Sequence, residues 1–308
     1  MESSYFLIAL AAVGVMGFAN QRGGTCTVAA IEELVSERRF GQFIALFEAS
    51  LWVAGGFVLL AALGQLPTIP GGYTASFATV VGGALFGVGA FVNRACAFGS
   101  IARLGSGDWA YLATPAGFYI GALVAQSLPA PASLAGPSIM TVAPAWVAIV
   151  VGALLLARLF SHGWRIARGG RSSLSDRWSP HVATTVIGIS FLVALVTAGP
   201  WTYTTLLGDL AQGTTLRMAW KLVLTIALLG GAMVGGWTDG RLKFVVPGLM
   251  RLVRCFAGGV IMGVGSRLIP GGNTGLVLIG MPLLRPYAWL AFASMVATIY
   301  VAVRLARA

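Results

Sequence analysis

Apolar residues in this chain gather into long unbroken runs instead of alternating with polar ones. Such runs lie near residues 5–20, 41–63, 76–93, 109–127, 141–160, 181–198, 217–237, 246–268 and 286–303. A helix needs about 20 mainly apolar residues to cross a hydrocarbon layer roughly 30 Å thick. The pattern therefore predicts an all-α polytopic membrane protein with about nine transmembrane helices. Between the runs lie 24–37, 96–105, 200–212 and 272–283, too short or too broken by glycine and proline to span, with RGGTC, AGPWT and IPGGN beside them. Irregular backbone survives at membrane depth only where protein or a watery cavity satisfies its polar groups. These segments are expected to be short or re-entrant helices dipping toward the centre from both faces. Their N-termini, with free N–H groups and partial positive charge, would suit an anion.

The same chain repeats itself. At an offset of 176, Gly82, Gly83, Gly87, Gly89 and Gly99 fall on Gly258, Gly259, Gly263, Gly265 and Gly275, so both copies read G-G-x3-G-x-G-x9-G. That register also carries Gly23 onto Gly199, Leu34 onto Leu210 and Glu33 onto Asp209. Two transmembrane repeats are expected, 1–128 and 177–308, joined over 129–176 by a linker helix and a basic cytoplasmic loop. One odd helix between them inverts the second copy, an arrangement common in secondary transporters, whose pathway lies at the repeat interface. Small residues four apart let membrane helices approach closely, and packing is the first explanation of the glycine frame. Lining a pore with bare backbone is the alternative.

Composition agrees with this picture: 57% of the residues are hydrophobic, 9% are charged and 42 of 308 are glycine. The net charge of +11 comes from arginines in loops, which the positive-inside rule and anionic lipid explain without nucleic acid. Loops 65–75 and 128–140 hold no Lys or Arg, whereas 161–180 carries Arg165, Arg168, Arg171 and Arg177. The first two belong outside and the third inside, which leaves Arg38, Arg39, Arg241, Lys243, Arg304 and Arg307 cytoplasmic. The N-terminus, with Glu2, then falls outside and the C-terminus in the cytoplasm. MESSYF lacks the basic start of a secretory signal and reads as part of a retained first helix.

Candidate chemistry is sparse. Cys26, Cys96 and Cys255 have neither disulfide nor zinc spacing. Cys26 and Cys96 each open a broken segment near Arg22 and Arg94, where a helix N-terminus and positive charge favour a reactive or hydrogen-bonding thiol. Cys255 lies inside the eighth run and reads as a small buried residue. Glu48, about two turns into the second run, is either a carboxylate satisfied by a partner or a proton-linked coupling group. Its repeat mate is Leu224. The two histidines, His162 and His181, flank the basic loop, and no HExxH, P-loop or nucleophile elbow is present. Neither an enzyme, a metal site, a cofactor nor ATP-driven transport is expected. Arg22, Arg94, Arg103 and Arg267, around the broken segments, fit an anion.

Three stretches carry a resemblance. QRGGTCTVAAIEEL at 21–34, GGALFGVGAFVNRACAFGSIARLGSGDW at 82–109 and GGVIMGVGSRLIPGGNTG at 258–275 together resemble the YeeE/YedE family of sulfur-transport membrane proteins over nearly the whole chain. The resemblance implies uptake of thiosulfate or a related inorganic sulfur anion across the bacterial inner membrane. It also implies an hourglass with a thin central barrier, and cysteines that hand the anion on through S–H···S contacts. By motif, Gln21 and Arg22 open the first stretch, and Cys26 and Cys96 are two of the thiols. The third family thiol is replaced by Gly272, with Asn273 and backbone N–H groups left to serve there. A second reading keeps the thiols and changes the role: Cys26 and Cys96 would pass sulfane sulfur to a cytoplasmic sulfur-carrier protein.

Overall fold

The computed structural model describes residues 3–134, 136–167, 177–214 and 218–307. Arg168 and Arg171 of the expected basic loop lie outside the described residues. The first part of the chain forms α1 (Ser3–Gly23), α2 (Thr27–Glu37), α3 (Gly41–Ala62), α4 (Phe77–Asn93), α5 (Ala97–Gly105) and α6 (Ala113–Val124). After α7 (Ala145–Ala167) come α8 (Pro180–Ala198), α9 (Tyr203–Ala211), α10 (Met218–Thr238) and α11 (Leu249–Leu268). The short α12 (Gly272–Gly275) runs into a π-helical turn, Leu276–Gly280, and α13 (Pro286–Leu305) ends the fold. A two-residue ribbon, β1 (Gly72–Tyr73) with β2 (Ser133–Leu134), pairs antiparallel in the long loops.

Among the described residues, eight helical stretches are long and apolar enough to cross a membrane, against nine apolar runs in the sequence. The difference is 109–127. It is helical throughout, but α6 covers only twelve residues and a 3-10 turn flanks it on each side, at Trp109–Leu112 and Ala125–Ser127. Pro115 explains the upstream limit: its ring would clash with the Tyr111 carbonyl in a continuing α-helix, so the chain tightens instead.

Helices begin in the second part within four residues of the 176-residue register, pairing α1 with α8, α2 with α9, α3 with α10, α4 with α11 and α5 with α12. The 109–127 segment then matches α13. Glycine decides how these helices meet. A Cβ on Gly89 would lie 2.7 Å from the Gly258 carbonyl oxygen, and one on Gly258 2.7 Å from that of Gly89, so α4 and α11 cross with backbone on backbone. Gly82 and Gly265 face into the same crossing, and the remaining four frame glycines on these two helices face outward from it. Gly83 and Gly87 take α13, where a Cβ would stand 2.5 Å from the Ala291 oxygen and 2.8 Å from that of Met295. Gly259 and Gly263 take α6, where a Cβ would collide with the carbonyls of Thr114 and Phe118. Each part thus lends its last helix to the central helix of the other. Close packing accounts for the eight frame glycines on α4 and α11.

Around this centre, α1 packs against α8 and α10, and α3 against α8 and α7. Helix α7 leaves Trp146, Ile149, Leu154 and Phe160 exposed, a surface suited to hydrocarbon. The ribbon end holds the starts of α4 and α13 and the end of α11, tied by Arg267 Nε donating to the Leu128 carbonyl at 3.3 Å and Arg285 to that of Gly136 at 2.9 Å. The opposite end gathers the C-termini of α1, α5 and α10, where the Lys243 N–H donates to the Ser106 carbonyl at 3.3 Å.

Gly263→Ala is expected to lower the thermal unfolding temperature in detergent and the yield of monodisperse protein, because overpacking costs about 1–3 kcal/mol. Gly163→Ala is the control, since nothing lies within 4 Å of a Cβ there. Equal stability of the two variants would contradict the packing role.

Candidate functional site

The two N-terminal thiols meet where two short helices begin. Cys26 caps α2 in extended backbone, and Cys96 caps α5. The Cys96 N–H donates to the Cys26 sulfur at 3.2 Å, and the Gly99 N–H donates to the Cys96 sulfur at 3.3 Å. Asn273, at the start of α12, lines the same small cavity as both thiols. The two sulfurs therefore sit among backbone N–H groups at the start of α5, with a side-chain amide beside them. Gly99 makes the approach feasible, because a Cβ on it would lie 2.6 Å from the Cys26 sulfur.

Two asparagines absent from the sequence expectations hold this irregular backbone. Asn20 donates to the Phe98 carbonyl at 2.8 Å and accepts from the Thr25 hydroxyl at 2.6 Å. Asn93 donates to the Ala95 carbonyl at 2.7 Å and to the Ser100 hydroxyl at 2.9 Å, and accepts from Thr114 at 2.9 Å. Both are fully buried. A buried amide at the end of an apolar helix, just before a break, is the signal that could have identified them.

A cavity of about 40 Å³ adjoins the thiols, lined by Cys26, Cys96, Asn273, Thr274 and otherwise chiefly apolar side chains of α3, α8 and the π turn. Among the described residues, no charged side chain lines it. Two polar atoms here, Asn273 Oδ1 and Thr274 Oγ1, are buried without a hydrogen-bond partner. Unpaired buried polar groups cost stability, and these two face a space that a hydrogen-bonding guest could fill. Gly272 does not line it. It stands behind, with φ +54°, and a Cβ there would press on Phe86 and Thr204 at 3.2 Å.

Vestibules open on both sides. One, of about 380 Å³, is lined by Gln21, Arg22, Arg94, Arg103, Arg177 and Arg241 and also reaches Cys26. Arg94 and Arg103 are exposed there. Arg22 is different: its side chain is fully buried, paired with Asp239 at 3.1 Å, donating to Thr238 at 2.7 Å and stacked on Phe18. Its charge is already matched, so it anchors α1 to the end of α10. Gln21 donates to Ser106 at 3.3 Å, beside it. The other vestibule, about 310 Å³, includes Tyr73, Thr204, Asp209, Arg267 and Gly271. Cys255 is buried within α11 and lines none of these three spaces. Glu48 lies outside them too, bonded to Arg158, His162 and His181.

An arginine-lined space and a small, mainly apolar cavity thus meet at the thiols. Comparison with known proteins places the chain in a family. A family model described as sulphur transport matches residues 22–301. The chain is also similar to the thiosulfate transporter TsuA of Escherichia coli (strain K12), 24% identical over 335 residues, covering 97% of this chain and 94% of that protein. With a family match over most of its length and a multi-pass helical fold, this chain belongs to the sulphur-transport (YeeE/YedE) family and is a membrane sulfur transporter.

Proposed function

We propose that this protein imports thiosulfate, or a closely related small inorganic sulfur anion, across the bacterial inner membrane. Residues 1–128 and 177–308 act as two inverted repeats joined over 129–176, and the anion passes between them through an hourglass path. The observation that carries this reading is the hydrogen-bonded Cys26–Cys96 pair, set at facing helix starts and reached from an arginine-rich vestibule.

The arginine-rich end faces the cytoplasm by the positive-inside rule, with the N-terminus outside and the C-terminus inside. An anion enters from the opposite vestibule past Thr204 and Gly271, sheds water at the neck, and is met by the Cys96 and Cys26 thiols, the Asn273 amide and Thr274. It leaves toward Arg94, Arg103 and Gln21. A neck of thiols and N–H groups binds well enough to admit the anion and weakly enough to release it, which a buried arginine clamp would not. At about 40 Å³ the cavity is much the smallest of the three spaces, and in this reading its walls part during transport. Asn273 and Thr274 take the place of the family thiol that Gly272 lacks.

The second reading, sulfur relay to a cytoplasmic carrier protein, draws on one observation: Cys26 lines both the cavity and the arginine-rich vestibule. A persulfide on Cys96 in cells would favour it. Uptake of labelled sulfur into vesicles holding only this protein would exclude the need for a partner.

Cys96→Ala and Cys26→Ala are each expected to abolish uptake of labelled thiosulfate in cells while the protein remains in the membrane; normal uptake by both would overturn the thiol path. Asn273→Ala should reduce uptake with less effect on folding, which a thermal melt alongside the uptake assay checks. Gly272→Cys should fail to restore a thiol to the neck and should destabilise the fold by about 1–2 kcal/mol, because the left-handed backbone there disfavours any side chain. A gain of transport in Gly272→Cys without loss of stability would contradict the placement of Asn273 and Thr274 at the neck.

A further inference from the structure

Both histidines of the chain converge on one carboxylate. Glu48, on α3, accepts from Arg158 Nε at 2.8 Å and Nη2 at 3.2 Å, both from α7. His162 Nε2, also on α7, stands 3.2 Å from Oε1, and His181 Nδ1, on α8, stands 2.6 Å from Oε2. A carboxylate only accepts, so His162 carries its hydrogen on Nε2 and His181 on Nδ1. Glu48 and His162 side chains are 9% and 6% exposed, whereas His181 is 28% exposed and open to exchange with solvent.

This cluster sits beside the neck. Glu48 precedes Ala49, and His181 lies one turn before Thr184; Ala49, Leu46, Thr184 and Ile187 all line the central cavity. Ser50, two residues beyond Glu48, donates to the Val277 carbonyl at 2.6 Å and ties α3 to the π turn on the far wall. The neighbouring elements add little charge. Helix α2 brings Glu32, Glu33 and Glu37 to the start of α3, where Glu33 accepts from the Gln42 N–H at 2.9 Å. Helix α1, packed on α8, brings Tyr5 and Arg22, the latter paired with Asp239. Helix α7 also carries Arg165, and the π turn carries no charged residue.

We propose that Glu48, His162 and His181 form a proton-binding site that sets the spacing of α3 and α8 and, through it, the width of the central cavity. The second half of this statement rests on the reading of that cavity as the transport neck. An imidazole exchanges its proton between about pH 5 and 8. When His181 takes a proton from solvent, its hydrogen bond to the Glu48 carboxylate becomes an ion pair with charge on both partners, and stronger. The α3–α8 contact tightens and the neck stays shut. Release of that proton weakens the tie and lets the walls part. A second proton, on His162, would set three cations around one carboxylate and is resisted. Arg158 keeps Glu48 ionised throughout and anchors α7 to the pair.

With only two histidines in the chain, histidine-selective ¹³C labelling of the intact protein in nanodiscs yields two ring signals, assigned with His162→Gln and His181→Gln. Glu48→Gln is expected to change how the His181 signal responds to pH, since the carboxylate 2.6 Å from Nδ1 has been removed. The second measurement is the rate at which N-ethylmaleimide labels Cys96, taken as the ratio of His181→Gln to wild type at each pH so that the thiol's own ionisation cancels. That ratio should be several-fold higher at pH 6 than at pH 8. Histidine signals that titrate alike in wild type and Glu48→Gln would overturn the proton site, and a flat labelling ratio would overturn its link to the neck. Absence of sulfur-anion uptake in wild-type vesicles would sink the transport reading alone, because neither measurement depends on uptake.

Discussion

The crossing of α4 and α11, backbone against backbone through Gly89 and Gly258, is the constraint on which the rest of this molecule depends. No side chain separates the two helices, so their relative position is set by main-chain contact and leaves little slack. Each helix runs directly into a break, α4 into Cys96 and α11 into Gly271–Gly272. Fixing the crossing therefore fixes where the two breaks meet, and Asn273 comes to line the same cavity as Cys26 and Cys96. The outward glycines of the same frame draw in α6 and α13, which close the structure around the centre.

Charge is distributed against this frame in a way that makes physical sense for an anion. Exposed Arg94 and Arg103 line one mouth, while the neck beside the thiols has no charged side chain. On the proposed path, attraction at that mouth would raise local concentration, and a neutral neck would avoid a trap. Arg22, four residues before Cys26, is held by Asp239 and contributes rigidity. A neutral neck also discriminates among anions. Stripping water from a compact, strongly hydrated oxyanion costs more than from one whose charge is partly on a soft sulfur, and thiols with N–H donors return more of that cost to the latter.

Much of the fold was legible in the sequence because hydrophobic runs and repeated glycines report on long-range packing through local pattern. The frame at 82–99 and 258–275 pointed to close helix contact, and the breaks at 24–37 and 96–105 located both thiols. Run 109–127 is helical as the pattern predicts, but its α-helical part is shorter than the run, because hydropathy does not register that Pro115 stops an α-helix from extending upstream. At the site, the reading singled out Cys26, Cys96 and Asn273, but not Asn20, nor Asn93 and Thr274, which lie within the quoted stretches without a chemistry of their own to mark them. The partners of Glu48 were out of reach for another reason: Arg158, His162 and His181 lie 110, 114 and 133 residues away, and Glu48 falls on Leu224 in the second copy, so the repeat could not reveal them. Only the folded contact of α3 with α7 and α8 brings them together.

The most direct measurement is uptake of ³⁵S-labelled thiosulfate, compared with labelled sulfate, into sealed vesicles containing only the purified protein. Saturable accumulation of thiosulfate, with sulfate excluded, is the predicted result. Equal passage of both anions, or passage of neither, would contradict a selective neutral neck built from thiols and amide groups.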